Sequence, residues 1–361
     1  MKVSMKRNML LSLSMSLAGA AAFAQIALPP GASPQAAQDP GYQALIATCK
    51  TPPPARGGGP GGGARAGGPA APATFPPPPA EYSVTAIPGV IAAGQKWTKV
   101  WEVDGNNADG PIADKDGSLW IAQNHNSKVV KLDAAGKVST VYSDTHTGGA
   151  VSMSKKGDVF MVQRGLHQNV SQMAPTRKIL ATTLPNGDPI DCLGGVINDL
   201  TADSRGGVYF TMGGLFHADA KGVITRYGEN LTTNGIILSP DEKTLYVSNG
   251  GSVAAFDVQP DGSLKNQRQF VQLPVAGGDG MTVDAEGRLY VTAGAGVHVV
   301  SPEGKLLGTI PAPYGLITVA FAGKDKKTMY GISSLIDANR LQHAFVFTIP
   351  MQASGYKGRA K

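Results

Sequence analysis

Six stretches of the chain share one pattern: a short apolar run, a polar turn, and a second apolar run with an aromatic near its start. They read PIADKDGSLWIA, VSMSKKGDVFMV, LTADSRGGVYFT, IILSPDEKTLYV, MTVDAEGRLYVT and VAFAGKDKKTMYGI. Turns rich in Asp, Gly, Lys and Ser between β-branched and aromatic runs predict hairpins. The aromatics are Trp120, Phe160, Tyr209, Tyr246, Tyr290 and Tyr330, spaced by 40, 49, 37, 44 and 40 residues. A repeat of that length with several strands per unit predicts propeller blades. Each copy continues with two more strand-like runs, such as KVVKLD with VSTVYS and GLFHADA with VITRYG, making four strands per blade. The sixth copy ends one strand short at His343–Pro350, and a spare strand, Lys96–Val103, precedes the first copy. An early strand that completes the last blade closes the ring and removes an exposed edge. The predicted fold is therefore all-β, a six-bladed β-propeller over residues 83–350 with its ring closed by an N-terminal strand.

The flanks have a different character. Residues 1–24 carry Lys2, Lys6 and Arg7, then a mostly apolar stretch, then Ala22-Phe23-Ala24, the pattern of a cleaved signal peptide. Export to the periplasm or the medium is expected. No later segment is apolar for 18 residues, so no membrane span is expected in the mature form. Residues 25–82 form a low-complexity linker, in which Pro52–Ala80 has almost no large apolar side chain to offset its ordering entropy. The sequence leaves room for a short helix around Tyr42–Cys49. Residues 351–361 form a C-terminal tail.

Composition narrows the function. Charged residues make up 16% and aromatics 6%, with 47 glycines, a turn-rich β composition. The formal charge is +6, three units of it in the leader, and no basic patch alternates with aromatics. Nucleic acid is thereby excluded as an expected partner. A small molecule is the expected partner, and a monomer the expected state. No Gly-x-Ser-x-Gly elbow, EF-hand loop or phosphate loop is present. The two cysteines, Cys49 and Cys192, are free to pair in an oxidising compartment, and their spacing does not decide whether they do. Pairing would tie the linker to the body near Asn198.

In a propeller the first strand of each blade lines the central channel, so the residues just before it surround one mouth. In order these are Asp109-Gly110-Pro111, His146-Thr147-Gly148-Gly149, Asn198-Asp199, Asn234-Gly235, Asp279-Gly280 and Gly315-Leu316. Four of the six offer a carboxylate or amide oxygen. Such hard donors suit Ca2+, with Mg2+, Mn2+ or Zn2+ open as substitutes; zinc is the poorer match, because structural zinc favours Cys and His. His146 is a substrate contact, a base or an exposed loop residue. The acids of the hairpin turns, such as Asp114, Asp116, Asp284 and Glu286, read as turn formers.

The segments NDLTADSRGGVYFT, NGIILSPDEKTLYVSN and GDGMTVDAEGRLYVT resemble successive blade motifs of the gluconolactonase/senescence-marker-protein (regucalcin-like) family, over roughly residues 100–350. The resemblance implies metal ligands at Asp109, Asn234 and Asp279, with Asn198 beside the metal or the substrate. It implies a metal-dependent hydrolase of a lactone or related ester, with the metal as Lewis acid and Asp279 as ligand and general base. The alternatives are a non-catalytic exported propeller that binds a ligand or partner, and a phosphotriester hydrolase on the same scaffold. The chain departs from the family pattern at several places. Asp109 replaces the usual Glu, Val196 stands where an arginine often does, Thr233 replaces a proline, and the last blade reads Leu316-Ile317. Val196, Ile197 and Leu316 lead to the expectation of a less polar substrate than a sugar lactone.

Overall fold

The computed structural model describes residues 36, 39–51, 53, 82–104, 107–294, 296–336, 342–359 and 361. The signal-peptide reading and most of the linker lie outside the described residues. The rest forms six four-stranded antiparallel sheets. The innermost strands of blades 1 to 6 are Ala108–Ala113, Gly148–Met153, Leu200–Ala202, Thr233–Leu238, Met281–Val283 and Thr318–Ala322. Within blades 1 to 5 the four strands follow in chain order from the channel outwards. Blade 6 takes its outermost strand, Thr98–Asp104, from the start of the fold; it pairs antiparallel with Gln342–Pro350, Thr98 opposite Thr348 and Glu102 opposite Phe345. No helix is long and apolar enough to cross a membrane among the described residues.

There is no single core. Six apolar clusters each lie between two neighbouring blades. The inner strands show why. Ile112 packs towards blade 2 and Ala113 towards blade 6; Ile236 packs towards blade 3 and Ile237 towards blade 5. Successive side chains of a strand point to opposite faces, and both faces are covered by another blade. This is why the inner strands read as unbroken apolar runs rather than as alternating ones.

The far end of each blade is made of hairpins that satisfy themselves. Asp116 accepts from the Ser118 backbone N–H at 2.9 Å, and Asp284 accepts from those of Glu286 and Arg288 at 3.0 and 2.9 Å. Two of the repeated aromatics hold these turns too: Trp120 Nε1 donates to Asp114 at 3.2 Å and the Tyr290 hydroxyl to Asp284 at 2.8 Å. These acids are turn formers, as their setting in the sequence suggested.

On the other face, Cys49 and Cys192 form a disulfide. It anchors the helix Tyr42–Ile46, which buries none of its own residues, to the 3-10 turn Ile190–Leu193 ahead of blade 3. Asp188 adds hydrogen bonds from the backbone N–H groups of Lys50 and Thr51, at 3.0 and 3.3 Å. With so little apolar burial, the covalent link does the work of holding this segment.

Candidate active site

The mouth of the channel is shaped by two backbone devices. The first is an irregularity in pairing at the start of an inner strand, between Asp109 and Ile112, Gly148 and Val151, and Thr233 and Ile236. An extra residue there breaks the two-residue alternation and re-aims the polar side chain that precedes it. The second is glycine. A Cβ on Gly110 would lie 2.4 Å from Ala150 Cα, one on Gly235 2.2 Å from the Asp279 carbonyl oxygen, and one on Gly280 2.5 Å from Thr318 Oγ1. The Asp-Gly and Asn-Gly pairs are thus not hairpin turns. The glycine lets adjacent inner strands close up, and the residue before it is delivered to the mouth.

There, Asp109, Asn198, Asn234 and Asp279 line one cavity of about 550 Å3, together with Asn107, Arg164, Ile317, Ser334, Leu335 and Gln342. Asn198 Nδ2 donates to Asn234 Oδ1 at 2.6 Å. His146 does not reach this lining. Its residue is exposed, and its contribution is its backbone carbonyl, which accepts from the N–H groups of Arg164 and Gly165 at 3.1 and 3.0 Å.

Arg164 was not visible as a site residue in the sequence. It follows the second strand of blade 2 rather than preceding the first. Its Nη2 donates to Asp109 Oδ2 at 3.1 Å, to Asn198 Oδ1 at 2.9 Å and to the Asn198 carbonyl at 2.7 Å, while Nε donates to the Ile197 carbonyl at 3.0 Å. One planar fork therefore fixes both the first-blade acid and the third-blade amide. Gly149 makes the room: a Cβ there would sit 2.0 Å from Arg164 Nε. The double glycine of blade 2 was the available signal.

The apolar positions also differ from expectation. Ile197 and Leu316 are buried in the cores between blades 2 and 3 and between blades 5 and 6. Leu335 and Ile317 supply the apolar wall instead, facing Ser334 and Gln342, where Gln342 Nε2 donates to Ser334 Oγ at 2.6 Å. The wall is mixed rather than uniformly apolar.

The electrostatics are uneven. Burial, then the Asp109 and Asp199 carboxylates, push Asp279 up to about 8. Burial pushes Asp199 above the ordinary range as well, against the pull of Lys361. Asp279 has no ion pair among the described residues. No group of three or more His, Cys, Asp or Glu poised to hold a metal occurs among the described residues, so a cation here would rely on amide oxygens beside two carboxylates. That all-oxygen set fits a hard divalent ion. Asp279 offers the carboxylate that Arg164 does not engage, and Asn234 Oδ1 keeps a second lone pair beyond its bond from Asn198.

The closed six-bladed propeller thus gathers acids and amides at one mouth. The family model of the SMP-30/gluconolactonase/LRE-like region matches residues 148–335, just over half of the chain, and the chain belongs to that family. It is 24% identical over 216 residues to a gluconolactonase of Zymomonas mobilis, covering 56% of this chain and 54% of the relative. It is 27% identical over 247 residues to the lactonase drp35 of Staphylococcus haemolyticus, covering 61% and 73%. The chain thus spans about half the length of the first relative. A solved gluconolactonase structure from Xanthomonas campestris superposes with a TM-score of 0.62 at 21% identity, covering 80% of this chain and 99% of that one. That likeness bears on the fold.

Proposed function

We propose that this protein hydrolyses a lactone or a closely related ester at the channel mouth. The observation that carries the reading is the convergence of Asp109, Asn198, Asn234 and Asp279 on one cavity, braced by Arg164. The lactonase names of the relatives support the substrate class. Asp109, Asn234 and Asp279 would hold a divalent cation, with Ca2+ the best match to oxygen donors. When bound, such an ion polarises a carbonyl and offsets the charge of the tetrahedral oxyanion.

The chain's own groups account for the rest. Ionised Asp279 takes a proton from water as the water oxygen adds to the lactone carbonyl. The ring C–O bond then breaks, and the leaving oxygen receives that proton back from Asp279, giving the open hydroxy acid and restoring the carboxylate. Asn198, fixed by Arg164 on one side and by Asn234 on the other, orients the substrate carbonyl without adding charge. Leu335 and Ile317 favour a ring with an apolar edge, and Ser334 and Gln342 accommodate its hydroxyls. Export over the 1–24 leader is part of the same proposal, and the Cys49–Cys192 disulfide supports it, since such bonds persist in oxidising compartments.

The test is a panel of sugar lactones, alkyl lactones, esters and phosphotriesters, run on chelator-treated protein with and without Ca2+. At least one lactone is expected to turn over only with the ion restored, and Asp279→Ala should lower kcat about 10^2- to 10^4-fold. Full activity in Asp279→Ala, or no metal-dependent turnover of any lactone, would overturn the reading. Preferential phosphotriester cleavage would reassign the same pocket.

A further inference from the structure

The C-terminal segment enters the channel from the hairpin end. After the last strand the chain crosses the hairpin end of blades 5 and 6: Ala285 N–H donates to the Ser354 carbonyl at 2.8 Å, Gly355 N–H to the Lys326 carbonyl at 2.9 Å, and Lys326 Nζ to the Tyr356 carbonyl at 2.8 Å. It then turns into the channel. Arg359 is 4% exposed; its Nη2 donates to the carbonyl of Leu238, the last residue of an inner strand, at 2.6 Å, and its Nη1 lies 3.7 Å from Glu242 Oε1. Lys361 goes furthest. Its side chain is 3% exposed, and its ammonium is hydrogen-bonded to Asp199 Oδ1.

Asp199 is the floor of the mouth. It follows Asn198, its Oδ1 also accepts from Leu200 N–H at 2.9 Å, and its Oδ2 accepts from Ile236 N–H at 3.0 Å, two residues beyond Asn234. It therefore joins the start of blade 3 to the start of blade 4 from below, as the Asn198–Asn234 hydrogen bond joins them from above. A buried carboxylate in that place needs a counter-ion to keep its position. No other cationic side chain pairs with it among the described residues.

We propose that Lys361 is a positioning residue of the mouth: it lies in the channel beyond residues 356–359, holds Asp199 and thereby sets Asn198 and Asn234. The inference rests on the reading of that pocket as the reactive one.

The experiment compares full-length wild type, Lys361→Met and Lys361→Arg. Lys361→Met keeps the length of the side chain and removes the charge. Two readouts are taken: lactone kinetics, and amide hydrogen exchange of Leu200 and Ile236, which needs no substrate. Lys361→Met should lower kcat about 10- to 100-fold with KM changed less than about threefold, because Asn198 and Asn234 shift while the pocket walls do not. Exchange at both amides should speed up, and Lys361→Arg should restore both readouts towards wild type. Wild-type kcat and unchanged exchange in Lys361→Met overturn the proposal even if its Tm falls, since a plug without a positioning role would cost only stability. If wild type hydrolyses no lactone, the functional reading fails separately, and the exchange readout still decides the role of Lys361: unchanged protection at Leu200 and Ile236 overturns it.

Discussion

Two acids at opposite ends of the blades show what placement does to one residue type. Asp203 sits in the hairpin of blade 3, with no exposed side-chain surface. Its Oδ1 accepts from the backbone N–H groups of Arg205 and Gly207, at 2.8 and 2.9 Å, and its Oδ2 faces His217 Nε2 at 3.1 Å and Arg205 Nη2 at 3.2 Å. Burial pushes its pKa up, but the bond to His217, the charge of Arg205 and the Gly207 amide outweigh it and leave the carboxyl below its ordinary value. Asp279, at the mouth, has burial and two further carboxylates around it and is pushed up to about 8. An acid whose partners come from its own blade is finished when that blade folds. An acid surrounded by acids from other blades is left wanting a positive partner. Glycine divides in the same way. Gly287 has φ +78 and nothing nearer to a Cβ than Pro302 Cγ at 3.7 Å, so it is there for its backbone angle, whereas Gly235 is there because no Cβ fits.

The sharpest way to break this contrast is to remove the cation that pairs with Asp109 at the mouth. Arg164→Met leaves Asp109 half-buried without its partner and frees Asn198. It should cost about 3–5 kcal/mol in denaturant unfolding and lower lactone turnover about 100-fold. Arg164→Lys should recover little, since a single ammonium cannot span Asp109 and Asn198 as the guanidinium does. Were Arg164→Lys to match wild type, the mouth would need only charge, and the geometric part of the contrast would fall.

A smaller effect separates the two kinds of glycine. Gly235→Ala forces the Asp279 backbone away and should cost about 2–3 kcal/mol, with loss of activity because Asp279 itself is displaced. Gly287→Ala should cost about 1 kcal/mol for its left-handed backbone and leave turnover at the wild-type level. Equal costs and equal activities in thermal unfolding and a lactone assay would erase the distinction.

The blades were legible because each inner strand is covered on both faces, which writes an apolar run into every repeat, and because hairpins need particular turn residues. The mouth was legible only where the repeat register carried it, at Asp109, Asn198, Asn234 and Asp279. Arg164 escaped because it belongs to the end of a second strand, and which blade's second strand leans over the channel is a matter of ring closure. The last blade differs from the sequence expectation by one residue. A shift of one flips the face, so Leu316 goes into the core between blades 5 and 6 and Ile317 lines the pocket. Lys361 had no sequence signal at all, because its role depends on a path up the channel that no local pattern encodes.

The finest test of the contrast is the sign of two acid-to-amide changes. Asp203 has a depressed folded pKa, so its contribution is present above the unfolded value of about 3.9 and is lost as pH falls through the folded value. Asp203→Asn should therefore cost about 1–3 kcal/mol at neutral pH, a gap that closes on acidification. Asp279 in chelator-treated protein runs the other way. Its folded pKa is raised, so the stability of the protonated form is full below about 3.9 and drains away as pH rises towards 8. An amide never ionises. Asp279→Asn should thus gain on wild type across that interval, by about 1–2 kcal/mol at its upper end, which discounts the shift for partial exposure to solvent. Restoring Ca2+ should reverse the order, because the ion needs the carboxylate that Asn lacks. Parallel stability–pH curves for wild type and Asp279→Asn without metal would mean that the mouth acids are as well satisfied as those of the hairpins.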